Sequence, residues 1–290
     1  MGGGGVAADG ERGAAARAEE FLERWGLRQE GPPMRGHVAV VLPVVRAADG
    51  VRAALKLQEV DAETAGEPAA LRVWDGRGAV RLLGHDPASG TMLLERLDGT
   101  RSLASVPDVL AATEVIARLL ARLTSEPAPA GMRRLGELTA RMLDRVPGAV
   151  EALADGAERR LLRSCAAAVR EVADEPGDRL LHWDLHFENV LAAGREPWLA
   201  IDPKPLAGDP GFELLPALWN RFGEGGLLRR FDLMTDVLGM AGDRGRARAW
   251  TLARVLQNSL WTLADGGSGR LSPEMAEIAR TLLAPRARQG

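Results

Sequence analysis

The sequence predicts an α+β chain of two lobes: a small β-rich lobe over residues 14–97 and a larger, mainly helical lobe over residues 98–290, behind a flexible tail at residues 1–13. Three observations predict it. Apolar, β-branched runs separated by turn signals fill the stretch from His37 to Leu97. From Asp98 onward the apolar spacing turns helical for most of the remaining chain. Within the helical lobe a single polar motif stands out, His182-x-Asp184 followed by Asn189, with Asp202 after it. Leu180-Leu181 and Val190-Leu191 flank that motif as two short buried strands.

In chain order, Met1 to Gly10 is glycine-rich and lacks the basic and apolar regions of a signal peptide. Ala14, Ala18, Phe21, Leu22 and Trp25 recur at helical spacing, and Gly26 closes that helix. His37–Val45 and Val51–Leu57, joined by Ala48-Asp49-Gly50, read as a hairpin. A helix is expected within 61–74, with strands at Ala79–Leu83 and Thr91–Leu97. Past Asp98, Ser105 is the expected N-cap of a helix carrying Val109, Ala112, Ile116, Leu119, Leu120 and Leu123. Helices over about 132–146 and 157–173 follow, with Pro147-Gly148 as the expected break. Four more close the chain, over about 213–221, 227–238, 246–263 and 273–283.

Composition excludes several classes. A hydrophobic share of 46 % and a charged share of 27 % are those of a soluble globular chain. No apolar run approaches the roughly 20 residues that cross a bilayer. A net charge of −3 carries no basic excess for nucleic acid. The lone Cys165 forbids an internal disulfide and suits a reducing cytoplasm. A monomer or weak homodimer is expected. Among 37 basic residues only Lys56 and Lys204 are lysines, so those two sites are candidates for needing a compact ammonium.

The motif supplies a base, an amide and a second carboxylate, the set a kinase loop uses. Asp184 is the candidate base for an acceptor hydroxyl; Asn189 and Asp202 are the candidate Mg²⁺ ligands that hold ATP. His182 is expected to brace the loop, and His186 either touches substrate or lines the pocket. Lys56, late in its strand, is placed to reach the ATP phosphates, with Glu67 as its partner and Glu63 as the alternative, since Pro68 disfavours helix at Glu67. Adenine is expected near the backbone of Glu95 and Leu97 at the lobe boundary. Direct metal ligation by His182, Asp184 and His186 has no HExxH and no later histidine to support it, and no G-x-S-x-G marks a serine hydrolase. The absence of Asp-Phe-Gly after Ile201, and Trp183 after His182, argue against a protein kinase.

His182-Trp183-Asp184-Leu185-His186-x-Glu188-Asn189-Val190-Leu191, Ile201-Asp202-Pro203-Lys204-Pro205 and Gly208-Asp209-Pro210 resemble the aminoglycoside/hydroxyurea phosphotransferase family, which includes streptomycin 6-kinases. Glu67-Pro68-Ala69-Ala70-Leu71-Arg72-Val73-Trp74 and Leu94-Glu95-Arg96-Leu97 share in the resemblance, which covers about residues 25–221. It implies a bilobal protein-kinase-like fold and ATP-dependent phosphorylation of a hydroxyl on a small antibiotic. It also implies Asp184 as base, Asn189 and Asp202 as metal ligands, and Lys56 with Glu67 as the phosphate anchor. Lys204 and Asp209 then serve as phosphate or loop-bracing contacts. Glu188, Glu213, Glu224, Asp232 and Asp236 are the carboxylates available to a polycationic acceptor. Streptomycin-type and hydroxyurea acceptors both stay open, as do a metabolic kinase for a sugar or amino alcohol and a non-catalytic nucleotide-binding protein.

Overall fold

The computed structural model describes residues 4–35, 39–264 and 269–285. Met1–Gly3 of the expected tail, and Gly36–Val38 at the start of the first hairpin, lie outside the described residues. Helix α1 (Gly4–Arg24) begins inside the segment expected to be a tail.

The first lobe is a six-stranded antiparallel sheet. Its strands are β1 (Leu27–Gln29), β2 (Met34–Arg35), β3 (Ala39–Arg46), β4 (Arg52–Gln58), β5 (Leu82–Asp86) and β6 (Thr91–Glu95). They run in the order β1-β3-β4-β6-β5, with β2 also beside β3. Central β4 shows what strand periodicity does here. Ala53, Leu55 and Leu57 pack with Phe21 and Ala18 of α1, whereas Ala54 joins the larger core that includes α2 (Glu67–Trp74). Lys56 shares the Ala54 phase, so the same alternation turns the lysine toward α2 and the second lobe. Each fully buried Leu or Phe in such a layer contributes about 1.5–3 kcal/mol.

The segment expected as a strand at Ala79–Leu83 starts later, at Leu82, and Ala79 instead bridges Ala200 of the second lobe. After β6, strand β7 (Asp98–Ser102) leaves the first sheet and pairs with β9 (Val190–Ala192), itself paired with β10 (Trp198–Ala200). A third sheet joins β8 (Arg179–Leu181) to β11 (Leu206–Gly208). These small sheets hold the 182–189 loop at the junction of the lobes.

Helices fill the rest: α3 (Val109–Leu123), α4 (Leu135–Ala152), α5 (Gly156–Arg170), α6 (Leu214–Trp219), α7 (Leu227–Val237), α8 (Arg244–Ala264) and α9 (Pro273–Leu283). The N-cap of α3 is Asp108 and not Ser105; its carboxylate takes the N–H groups of Leu110 at 2.8 Å and Ala111 at 3.3 Å. Pro147 does not break α4. Its ring is exposed, while Met142, Val146 and Val150 continue one buried stripe past it, so packing outweighs one missing hydrogen bond. The chain breaks instead at Leu153–Asp155. Helix α8 is the hub, buried along most of its length from Ala247 to Leu260. No helix among the described residues is long and apolar enough to cross a membrane.

Candidate active site

The 182–189 loop is held by contacts that the flanking strands alone do not supply. The His182 ring is fully buried and stacks on Trp74 of α2 at 6.1 Å. Its Nε2 lies 2.9 Å from the Ile201 carbonyl, which can only accept, so Nε2 carries the proton. The other nitrogen, Nδ1, accepts the Asp184 N–H at 3.4 Å. Burial pushes the imidazole down to about 4, so it is neutral at pH 7 and braces the backbone. Trp183 follows with φ of 69°, a left-handed turn unusual for a tryptophan. Beneath that turn, the fully buried Glu213 accepts the N–H groups of both His182 and Trp183. Burial raises Glu213 to about 7, against the two backbone donors that lower it.

This turn presents Asp184, whose carboxylate is partly exposed, and Asn189 closes the loop by donating Nδ2 to the Asp184 carbonyl at 2.9 Å. That bond leaves the Asn189 carbonyl oxygen for another partner. Asp202, at φ of 59°, follows β10 and shares the junction. Lys56 reaches it from β4: Nζ contacts Asp202 Oδ1 and lies 2.8 Å from each oxygen of Glu67. Gln58 Nε2 adds a 2.9 Å bond to Glu67. Lys56 is 4 % and Glu67 1 % exposed, so this is a dry ion pair. Burial lowers the Lys56 pKa, but the two carboxylates together carry it above the ordinary lysine value. Glu67 occupies the first turn of α2, just ahead of Pro68, where a proline is tolerated. Glu63, the alternative partner, lies beside Lys204 instead of Lys56.

Lys204 sits beside the loop and not against Lys56. Its N–H bonds the His182 carbonyl at 3.0 Å and its carbonyl accepts Arg133 Nη2 at 3.1 Å. The ammonium then stands 3.3 Å from Asp184 Oδ2 and 3.7 Å from Glu63 Oε2. Asp209 is remote from this junction: it caps the turn 210–213 through Gly211 N–H at 2.8 Å and binds Arg246 Nε at 2.7 Å. Both oxygens of the Glu95 side chain are held by Arg195, and the Leu97 carbonyl accepts Gly99 N–H at 3.1 Å. His186 Nδ1 pairs with Glu188 at 2.8 Å on the side of the loop facing α6.

Three features escaped sequence reasoning. Glu213, expected among the acceptor carboxylates, is instead a buried brace; the apolar neighbours Phe212, Leu214 and Leu215 are the signal that places it inside. Two guanidinium groups stand over the Trp183 ring, Arg133 at 4.7 Å and Arg254 at 4.8 Å from its centre. Arg195, from the turn between β9 and β10, bonds Glu95 and the carbonyls of Gly76 and Ala79, and so ties the lobes together. Neither arginine role has a sequence signature in a chain where arginine is the default cation. Among the described residues no group of three His, Cys, Asp or Glu is placed to hold a metal unaided.

The family model described as aminoglycoside/hydroxyurea antibiotic resistance kinase matches residues 24–266. The chain is 63 % identical over 273 residues to the hydroxyurea phosphotransferase of Kitasatospora aureofaciens, covering 93 % of this chain and 79 % of that one. It is 55 % identical over 287 residues to the streptomycin 6-kinase of Streptomyces glaucescens, covering 94 % and 92 %. A solved structure of aminoglycoside phosphotransferase APH(4)-Ia, in a ternary complex with ADP and hygromycin B, matches at TM-score 0.63 and 14 % identity, over 91 % of this chain and 96 % of that one. At that identity the likeness speaks for the fold, a bilobal protein-kinase-like one. Family model and relatives agree on the rest: the chain belongs to the aminoglycoside/hydroxyurea antibiotic resistance kinases.

Proposed function

We propose that this kinase transfers the γ-phosphoryl group of ATP to a hydroxyl of a small antibiotic-like molecule, with hydroxyurea and streptomycin, the acceptors named for its relatives, as the first candidates. One observation carries the reading: a single junction gathers Asp184, Asn189 and Asp202 from the second lobe with the buried Lys56–Glu67 pair from the first. Asp184 orients the acceptor hydroxyl and takes its proton as the oxygen bonds to the γ-phosphorus; the bond from that phosphorus to the β–γ bridging oxygen breaks, and ADP leaves. Lys56, held straight by Glu67, contacts the ATP phosphates. Lys204, 3.3 Å from Asp184, is placed to meet the transferring phosphoryl group and limit repulsion between it and the base. His182 and Asp209 brace the backbone. The division of labour between lobes falls at residues 97/98, with adenine at the backbone around Glu95 and Leu97.

The donors fit Mg²⁺, which commonly takes one or two protein oxygens and fills its remaining positions with phosphate and water. Asp202 and the free carbonyl oxygen of Asn189 would hold it. Bound with ATP, the ion supplies neutralising charge across the phosphates. The protein would act in the cytoplasm, where ATP is supplied, as a monomer or weak homodimer with no nucleic-acid partner. A screen of ATP consumption over streptomycin, other aminoglycosides, hydroxyurea and amino alcohols, with mass spectrometry of products, tests the acceptor. In Asp184→Ala, transfer is expected to vanish while ATP binding persists; retained transfer would sink the mechanism.

A further inference from the structure

Glu188 differs from the other carboxylates that a cationic acceptor might meet. Glu213 is buried beneath the loop. Glu224 pairs with Arg221, and Asp232 and Asp236 both pair with Arg244. Glu188 has a side chain 57 % exposed and, among the described residues, no arginine or lysine within ion-pair distance. Its Oε2 takes His186 Nδ1 at 2.8 Å and Asn220 Nδ2 at 3.1 Å, which leaves Oε1 without a side-chain donor among the described residues. Asn220 also accepts the Phe187 N–H at 2.5 Å, so one amide fixes both the carboxylate and the loop that carries it. A charge held by an imidazole and an amide, four residues after the base, is preorganised for a partner from outside. Next to Asn220 the chain exposes Trp219 at 51 %, and Phe222 follows at 38 %, ring types that accept a cation on their faces.

We infer that Glu188 determines acceptor specificity, with Asn220 and His186 as its positioning residues. Its ligand is an N–H donor carried on the molecule whose hydroxyl Asp184 faces. A guanidinium or amine supplies that donor with charge, and a urea NH₂ supplies it without. The inference rests on the phosphotransferase reading for the side on which the acceptor sits.

Equilibrium binding to the Mg²⁺·AMP-PNP complex tests it without turnover. Streptomycin affinity is expected to fall about 10–100-fold in Glu188→Gln, the scale of a hydrogen bond to a charged group, while AMP-PNP affinity holds. Asn220→Ala should shift streptomycin the same way by a smaller factor. A neutral urea separates the two sources: hydroxyurea binding should survive Glu188→Gln, whose oxygen still accepts an N–H, and fall in Glu188→Ala. The inference is overturned if neither acceptor is affected by either Glu188 variant, if AMP-PNP affinity falls in parallel, as a loop brace alone would give, or if the wild type binds neither. Acceptor binding that depends on Glu188 without any phosphoryl transfer by the wild type would support the site and overturn the catalytic reading.

Discussion

The Glu213 carboxylate takes the Trp183 N–H on both oxygens, at 2.9 and 3.0 Å, and the His182 N–H as well. Trp183 is in a left-handed turn, so this carboxylate holds the backbone that aims Asp184. Glu213→Ala strands two buried donors and should cost about 3 kcal/mol in urea unfolding. Misaiming Asp184, the proposed base, should lower kcat by roughly 10²-fold, even at substrate saturation. A variant that loses stability but keeps kcat would show that the turn holds itself.

Lys56 is shared between Glu67 and Asp202, and that sharing sets up a competition. Glu67→Ala frees the ammonium to settle on Asp202, the proposed metal ligand. The expected result is a rise of about tenfold in the Mg²⁺ concentration needed for half-maximal activity, together with a higher KM for ATP. Raising Mg²⁺ should restore some of the rate. Titrating Mg²⁺ at fixed ATP checks this, and an unchanged midpoint would count against it.

Arg195 joins the end of β6 to the turn between β9 and β10, through Glu95 and the carbonyls of Gly76 and Ala79. Arg195→Ala removes these bonds at a site about one-fifth exposed, which should cost about 2 kcal/mol and lower Tm by about 3–4 °C. Because Glu95 lies where adenine is expected, KM for ATP should rise while acceptor binding stays near wild type. Calorimetry and two-substrate kinetics separate the effects.

Local rules carried much of the fold and pointed to the residues at the core of the candidate site. The polar motif between Leu180-Leu181 and Val190-Leu191 was legible because a carboxylate and an amide are costly among apolar strands unless they have a task. Lys56 was legible as one of two lysines. What stayed hidden depends on partners distant in sequence. The Arg195–Glu95 contact spans 100 residues, and Glu213 meets the loop from 30 residues away. Pro147 misled because propensity describes a chain in isolation, while α4 is held by its packed face.

His182 and Glu213, joined through one N–H, should oppose each other in their effect on stability between about pH 4.5 and 6.5. Burial lowers His182 from 6.5 to about 4, so the unfolded chain binds its proton more readily and stability from this group rises with pH across the window. Burial raises Glu213 from 4.5 to about 7, so the folded chain keeps its proton longer and stability from this group falls as pH rises. Each change amounts to about 2 kcal/mol over that window, with opposite sign, and the pair nearly cancels. Single variants expose what the wild type conceals. Relative to wild type, Glu213→Gln should gain a stability profile that climbs more steeply with pH, and His182→Gln one that declines. Urea unfolding at pH 4.5, 5.5 and 6.5 gives both slopes. Parallel profiles for wild type and Glu213→Gln would mean that Glu213 is already ionised in the folded protein at pH 4.5, with its two backbone donors outweighing burial.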